Sequence, residues 1–245
     1  MNILLLALAR SVGSLGRLRV WRELLVPAVL ALVVMAGLSF FLLDQLVAFL
    51  LDEPPVRWIA SWGALALAHL LASLGGWLLL LSAAYLVAVV LAGILVMPRL
   101  LDLLSSGDYA DVERRGKDSA LASTANSLWA ALLFLLGGVL TLPLWLIPGA
   151  GLFLPLFWMA WLNRRTFAYD ALSLHATPAE WQELRRRHAG ALFGLGLFMA
   201  VLSHVPVLGL LAPSLAALAY IHTCLEALRR LRSAPTAIEF NRENA

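Results

Sequence analysis

The hydrophobic pattern is most distinctive at residues 128–162, which contain no Asp, Glu, Lys or Arg. Pro148-Gly149 interrupts this stretch, and the polar block Asn163-Arg164-Arg165 follows it directly. The two arms, Leu128–Pro143 and Leu152–Leu162, have 16 and 11 residues, whereas a helix needs about 20 residues to cross a ~30 Å hydrocarbon core. The pattern therefore predicts a helical hairpin that enters a bilayer, turns inside it and leaves by the face it entered.

A second segment, residues 189–228, repeats this design. Pro206 and Gly209 mark its bend, and Pro213 follows soon after. Because proline lacks an N–H and restricts the residue before it, these positions predict a break between two helical arms. The distribution of charge does not separate two half-membrane hairpins from two pairs of thin complete spans, so both interpretations remain open.

Two longer apolar stretches precede the hairpins. Residues 24–51 predict a full transmembrane helix, with Pro27 near its start. Residues 58–98 contain no formal charge over 41 positions, which is about 60 Å of helix, or twice the thickness of a bilayer core. This stretch forms either one long tilted helix or two spans that turn at Gly75-Gly76. We favour the long helix.

The remaining segments are amphipathic or polar. Residues 1–22 place apolar side chains along one helical stripe beside four arginines, which is typical of a helix lying on an anionic leaflet. We interpret residues 99–127 and 163–188 as cytoplasmic segments and residues 229–245 as a short tail. The tetrapeptide Thr177-Pro178-Ala179-Glu180 predicts a helix start, with threonine as N-cap, proline at the first helical position and glutamate at the third.

Composition places the whole chain in the membrane class. It is 62% hydrophobic and 13% charged, with a mean hydropathy of +0.86, whereas soluble domains are about 25% charged. The single cysteine, Cys224, excludes a disulfide framework within the chain and gives no zinc-binding spacing. We therefore predict an all-α integral membrane protein, one domain over residues 1–245, with two long transmembrane helices and two Pro/Gly-bent, half-membrane helical hairpins.

The positions of the basic residues predict an orientation. Of the 18 Lys and Arg residues, all except Arg57 lie in residues 1–22, 99–117, 164–187 and 229–242. One long second helix, followed by two hairpins that return to their own side, puts these four segments on the same face. The positive-inside rule assigns that face to the cytoplasm. We expect both termini to be cytoplasmic.

The ionisable residues give no catalytic signature. His204 and His222 fall on the two arms of the last hairpin, where they either face each other or each bond a backbone carbonyl at a bend. With Glu226 they are the only clustered candidates for an enzyme acting on lipid, a remote third interpretation. We expect a protein that is not an enzyme and needs no cofactor or metal. Helix starts are different, because backbone N–H groups aided by arginine bind anions directly.

A block in the second half of the chain resembles a known family. The segment 161–170, WLNRRTFAYD, is followed by His175-Ala176, then by Val205–Leu208 and Leu211-Ala212-Pro213. This pattern is similar to the CysZ-type sulfate permease family, which is related to the etoposide-induced membrane proteins of eukaryotes. The residues that carry the resemblance are Asn163, Arg164, Tyr169, Asp170, His175, Pro206 and Pro213.

The resemblance implies a bacterial inner-membrane homo-oligomer that takes up sulfate for cysteine synthesis. Family members are similar in having a Gly-Leu-Arg sulfate-binding turn at the start of the first hydrophobic helix. The matching residues here are Gly16, Arg17, Leu18 and Arg19, in which the glycine lies one residue further from the Leu-Arg pair. Our first hypothesis is thus a transporter or channel for a small oxyanion, sulfate before others, with Gly16–Arg19 as the substrate site.

A second hypothesis belongs to another class. The arginine-rich faces also suit a non-transporting membrane adaptor that binds anionic lipids or a partner protein. In either case we expect anionic lipids as partners and no nucleic acid. Saturable binding of an oxyanion separates the two hypotheses.

Overall fold

The computed structural model describes residues 3–117, 120–147, 150–205 and 208–233, and within these ranges the chain is helical, without a β-strand. The nine α-helices are α1 Ile3–Ser14, α2 Leu18–Asp52, α3 Val56–Ser61, α4 Leu65–Leu91, α5 Met97–Ser106, α6 Ala120–Leu140, α7 Ala150–Ser173, α8 Pro178–Leu202 and α9 Leu208–Ser233. A π-helical segment, Ala92–Val96, joins α4 to α5, and a 3₁₀ segment, Leu142–Leu146, follows α6.

Four helical stretches are long and apolar enough to cross a membrane: Leu18–Asp52, Leu65–Ser106, Leu121–Leu140 and Leu211–Ser233. The first three expose large apolar side chains, including Phe40, Leu78 and Leu140. Surfaces of this kind are stable when lipid tails cover them. The chain is a multi-pass, all-helical membrane protein, as its composition and pattern predict.

The first two long helices, α2 and α4, pack along each other. The buried face of α4 recurs every four residues, and all of its positions from 68 to 88 except Leu80 are small: Ala68, Ala72, Gly76, Ala84 and Ala88. A Cβ on Gly76 would lie 3.3 Å from Leu43 Cδ1 and 3.4 Å from Val47 Cγ2 of α2. The glycine pair at 75–76 therefore lies inside one continuous helix, where it allows close helix packing rather than a turn.

The bounds of the long helices differ from those predicted. The second begins at Leu65, not Trp58, because α3 and the turn at Gly63 (φ 84°) come first. The first begins at Leu18, not at residue 24, so the predicted helix over residues 1–22 is divided into α1 and the start of α2. Pro27 accordingly lies inside α2, in its third turn, rather than at its start.

The two hairpins consist of α6 with α7 and of α8 with α9. Their helices are longer than the predicted arms, since α6 begins at Ala120 and α7 continues through the polar block at 163–165 to Ser173. Within this block Asn163 is buried and hydrogen-bonds Tyr85 of α4 and the Gly196 carbonyl of α8, so the helix continues through it. Pro148-Gly149 and Pro206, the predicted bends, lie outside the described residues.

The start of α8 has the predicted capping geometry. The Thr177 hydroxyl accepts from the Glu180 N–H at 3.3 Å, and the Glu180 carboxylate accepts from the Thr177 N–H at 2.8 Å. Further along, non-helical backbone angles at His188 kink α8. The kink separates the polar first part of α8 from the apolar arm that begins at residue 189.

The last helix, α9, lies at the centre of the molecule. Its residues from Ala212 to Leu228 are almost all buried, and it contacts α1, α2, α7 and α8. The amphipathic helix α1 presents Ile3, Ala7, Ser11 and Ser14 to this core. Because α1 packs on α9, the junction between α1 and α2 is held against the bundle.

Candidate anion site at the start of α2

The junction between α1 and α2 is a tight turn. The Gly16 N–H donates to the Gly13 carbonyl at 3.2 Å, and the Arg17 N–H donates to the Ser14 carbonyl at 3.1 Å. Both donors are therefore used within the chain. These two N–H groups close the turn that begins α2, and the substrate site at Gly16–Arg19 stays a prediction.

The next two residues are the first of α2. Arg17 is its N-cap and makes no side-chain capping bond, and the Val20 N–H donates to the Arg17 carbonyl at 3.0 Å. The first N–H groups of any helix, here those of Leu18 and Arg19, have no acceptor within the helix. Leu18 is 85% exposed and Arg19 is also exposed. The first turn of the 35-residue α2 thus combines two backbone donors, the positive end of the helix dipole and an exposed arginine.

The Arg17 side chain is already paired. Its Nη1 and Nη2 donate to Asp108 Oδ2 and Oδ1 at 3.0 and 2.7 Å, a two-point contact. The guanidinium of Arg17 holds the pKa of Asp108 below its usual value. Asp108 belongs to the segment after α5, so this pair ties the α2 start to the 107–117 segment. Arg17 thus orients the turn, whereas the Arg19 side chain has no ion pair or hydrogen bond among the described residues.

Behind the junction lies a buried polar network centred on His222 of α9. Ser14 Oγ lies 2.9 Å from His222 Nε2, and Tyr109 Oη lies 2.9 Å from His222 Nδ1. These contacts fit a neutral imidazole that accepts at one nitrogen and donates at the other. The network joins α1, the 107–117 segment and α9 at the level of the α2 start.

A carboxylate balances the cations around this network. Glu226, which is buried, accepts from Arg10 Nη1 at 2.7 Å and from Arg230 Nε at 2.9 Å. The Tyr109 ring lies between two guanidinium groups, with the carbon of Arg10 at 5.6 Å and that of Arg229 at 4.6 Å from its centroid. Cation–π contacts of this geometry add to the ion pairs. The network therefore stabilises the packing of α1, the 107–117 segment and α9 behind the candidate site.

Sequence reasoning missed Tyr109, Arg10 and Asp108, and it assigned His222 differently. His222 does not bond a backbone carbonyl through its ring, whereas His204 does, with Nδ1 2.8 Å from the Ala200 carbonyl oxygen. Among the described residues, the two histidines share no hydrogen-bond partner. The small spacing between Glu226, Arg229 and Arg230 on one helix was the only local signal of the network.

The residues that carry the family resemblance lie elsewhere, mostly on α7. Asn163 is buried, accepts from Tyr85 Oη at 3.3 Å and donates to the Gly196 carbonyl at 3.3 Å, so it joins α4, α7 and α8. Asp170 accepts from Ser123 Oγ of α6 at 2.5 Å. Asn163 therefore joins the two hairpins to the long helix α4, and Asp170 joins α7 to α6 within the first hairpin.

The other residues of this block have varied surroundings. Arg164 lines a cavity with Arg165 and Arg185. Tyr169 packs edge-on against Trp181, with ring centroids 6.4 Å apart. Pro213 lies inside α9, and Pro206 is outside the described residues.

His175 is a buried residue of the loop before α8. Neither ring nitrogen has a hydrogen-bond partner among the described residues. Burial, followed by the charges of Arg114 and Arg232, lowers the pKa of His175 to about 4. The imidazole is therefore neutral at pH 7, and its backbone carbonyl accepts from Arg232 Nη2 at 2.7 Å.

Within the described residues, no cluster of three or more His, Cys, Asp or Glu side chains has the arrangement of a metal site. The partners of Gly16–Arg19 and those of the α7 block do not overlap. The arrangement at the start of α2 can exchange the water around a small anion for backbone N–H groups and a guanidinium.

Comparison with known proteins identifies one family. The model described as Sulfate transporter CysZ/Etoposide-induced protein 2.4 matches residues 7–213. The matched range includes both the α1–α2 junction and the block at 161–175. Neither the curated proteins nor the solved structures gave a match to the chain.

Proposed function

Because the chain belongs to the family of the sulfate transporter CysZ and the etoposide-induced protein 2.4, we propose that it carries a small oxyanion, sulfate first, across a bacterial inner membrane. In this role it supplies sulfate for cysteine synthesis. The protein acts as a transporter or channel and not as an enzyme. Family membership supports membrane transport in general, and the geometry at the start of α2 supports an anion.

The observation that carries the proposal is the unpaired Arg19 beside the first-turn N–H groups of α2. Arg17, two residues earlier, forms an ion pair with Asp108, whereas Arg19 has no ion pair or side-chain hydrogen bond among the described residues. An exposed guanidinium is tolerated at a helix N-terminus only at some cost, because the helix dipole repels it. An anion bound between the Arg19 guanidinium and the N-terminus of α2 removes this repulsion.

The chemistry of recognition follows from these donors. A tetrahedral oxyanion that reaches the α2 start exchanges part of its hydration for the Leu18 and Arg19 N–H groups and the Arg19 guanidinium. Arg17 and Asp108 act as positioning residues, since their ion pair orients the turn before α2. Leu18, which is largely exposed, adjoins the hydrocarbon region through which the anion must pass.

The proposal includes an arrangement in the membrane. The chain forms one domain with its two long helices spanning the bilayer, while the two hairpins enter from the cytoplasmic side and return. Both termini are cytoplasmic, which agrees with the arginine distribution. A pathway for an anion needs shielding from lipid, and several copies of the chain around one axis provide it.

Uptake of radiolabelled sulfate into proteoliposomes tests this function. The parent protein should accumulate sulfate faster than protein-free liposomes, with saturation by substrate. Arg19→Gln should reduce the rate about tenfold or more, since a charge-assisted hydrogen bond is lost. Arg22→Gln, three positions later on the same helix and paired with Glu23, is the matched control and should retain the parental rate.

The outcomes separate the function from the site. Transport by the parent with an unchanged Arg19→Gln variant retains the function and removes the site. No sulfate flux in the parent, together with binding to acidic liposomes, contradicts transport and favours a membrane adaptor.

A further inference from the structure

A second concentration of positive charge lies far along the chain from the α2 start, between α7 and α8. A cavity of about 170 Å³ is lined there by Arg164, Arg165, Ala168, Trp181, Arg185 and Leu192. This volume is well above the ~10–15 Å³ that one water molecule requires. A group the size of a tetrahedral oxyanion fits inside it.

Within the part of the chain that the structure describes, the three arginines of this cavity have no acidic partner. None of their guanidinium groups makes an ion pair or a hydrogen bond among the described residues. Arg164 and Arg165 are half-buried, so their charges are partly removed from water. Glu183, the nearest acid along α8, is already bound to Arg186 and Arg187. Uncompensated, partly buried cations are costly unless an anion joins them.

A larger cavity elsewhere in the molecule has arginines that are paired with acids. A space of about 340 Å³ between α1, α8 and α9 is also lined by two arginines, Arg187 and Arg230. Those cations are paired, however, with Glu183 and Glu226 respectively. The cavity between α7 and α8 differs because its charge is not neutralised by the part of the chain that the structure describes.

The cavity lies at the point where α7 changes from apolar to polar residues. The residues of α7 before Asn163 are free of charged side chains, and Arg164 and Arg165 begin its polar part. Trp181 forms one wall, its ring edge-on to Tyr169. A tryptophan beside basic residues, at the point where an apolar helix becomes polar, is typical of the headgroup level of a membrane.

We propose that Arg164, Arg165 and Arg185 form a binding pocket for a phosphate or sulfate group, separate from the α2 start. The guanidinium groups meet the oxyanion oxygens, and Ala168 and Leu192 contact an apolar substituent if one is attached. A phosphomonoester lipid headgroup and a free oxyanion share this chemistry. This proposal does not depend on the proposed transport function, because the pocket fits either a lipid headgroup or a free oxyanion.

Two measurements on the full-length protein in detergent distinguish the sources. Native mass spectrometry counts bound phosphatidic acid, with phosphatidylcholine as the reference lipid. Isothermal titration with inorganic phosphate and sulfate is carried out in the Arg19→Gln background, so that the α2 start does not contribute. Each measurement compares the triple variant Arg164→Gln, Arg165→Gln, Arg185→Gln with a charge-matched control in which Arg22, Arg115 and Arg186 are changed to Gln.

We expect the triple variant to bind one of these probes at least about tenfold more weakly than the control variant does. Loss of phosphatidic acid identifies a lipid headgroup, and loss of inorganic phosphate or sulfate identifies a free anion. Should the triple variant fail to fold, Arg185→Gln alone, at an exposed position, replaces it against Arg186→Gln. Equal binding of every probe by the pocket variant and its control overturns the proposal.

Discussion

Arg17 and Asp108 form a two-point ion pair across 91 positions of sequence, with N–O distances of 3.0 and 2.7 Å. The pair joins the N-cap of the first long helix to the segment that follows α5. It removes Arg17 from the set of free cations at the helix start. For this reason the adjacent Arg19, rather than Arg17, is the side chain that we assign to an anion.

The strength of this pair should be modest. The Arg17 and Asp108 side chains are 48% and 29% exposed, and exposed ion pairs contribute about 0.2–1 kcal/mol. A double-mutant cycle of Arg17→Gln and Asp108→Asn, measured by denaturant unfolding at pH 7, should give a coupling energy in this range. A coupling energy near zero would contradict the positioning role.

The same pair predicts a pH dependence. The pKa of Asp108 is lowered in the folded protein, so its contribution is present above its unfolded pKa and is lost as the pH falls through the folded pKa. The coupling energy should therefore be constant between pH 8 and pH 5 and decrease below about pH 4. A coupling energy that changes between pH 8 and pH 5 would indicate another titrating group.

The packing of α7 against α8 predicts a sharp difference between two glycines. A Cβ on Gly196 would lie 2.5 Å from the Ala160 carbonyl oxygen, whereas nothing lies within 4 Å of one on Gly194. Gly196→Ala should lower the thermal midpoint in detergent by roughly 2–10 °C, corresponding to about 1–3 kcal/mol of overpacking. Gly194→Ala should leave it equal or slightly higher. Equal losses in both variants would contradict the described contact between these helices.

The capping box at the start of α8 predicts acid sensitivity. Glu180 accepts from Arg232 Nε at 2.8 Å, and this contact, aided by Thr177, lowers the pKa of Glu180 to about 2. A lowered pKa stabilises the fold above the unfolded value of about 4.5, and the effect is lost as the pH falls toward 2. Glu180→Gln should thus be less stable than the parent at pH 7.

The comparison over pH supplies the control for this prediction. The difference in thermal midpoint between parent and Glu180→Gln should be constant from pH 7 to about pH 5 and shrink toward pH 3. Glu113, which is exposed and pairs with Arg115 two residues away, provides the matched variant Glu113→Gln. A similar loss of stability in that variant would mean that general charge, rather than the box, is responsible.

The buried network predicts that Ser14 matters for stability. Its hydroxyl lies 2.9 Å from His222 Nε2 in a buried position, so Ser14→Ala leaves a buried imidazole nitrogen without its partner. We expect a loss of about 1–3 kcal/mol in the free energy of unfolding. Ser82→Ala removes an exposed hydroxyl that bonds only the Leu78 carbonyl of its own helix, and should change little. Equal effects would exclude a stabilising role for the network.

The features predicted correctly from sequence depend on short spacings. The box at Thr177 and Glu180 requires only residues three apart, so it is visible in the pattern and is confirmed. The all-helical membrane fold follows from charge-free stretches that are long enough to cross a bilayer as helices. A helix satisfies its backbone N–H and C=O groups within the segment, which a bilayer core requires. Both signals are local in the chain.

The features that were missed depend on distant contacts. His222 bonds Tyr109 and Ser14, which lie 113 and 208 positions away, and no local pattern specifies such partners. The sequence pattern predicts a first long helix from residue 24, because the four arginines of residues 1–22 favour a separate surface helix. Packing of α1 on α9 instead ends α1 at Ser14 and begins α2 at Leu18.

Binding of sulfate to the detergent-purified protein, measured by isothermal titration, tests the central claim most directly. We predict saturable sulfate binding that phosphate and selenite reduce by competition, at least about tenfold weaker in Arg19→Gln and unchanged in Arg22→Gln. Saturable binding that both variants retain in the Arg164→Gln, Arg165→Gln, Arg185→Gln background, where the pocket between α7 and α8 does not contribute, would contradict the site at the start of α2. No saturable binding of any oxyanion to the parent protein would contradict oxyanion transport itself.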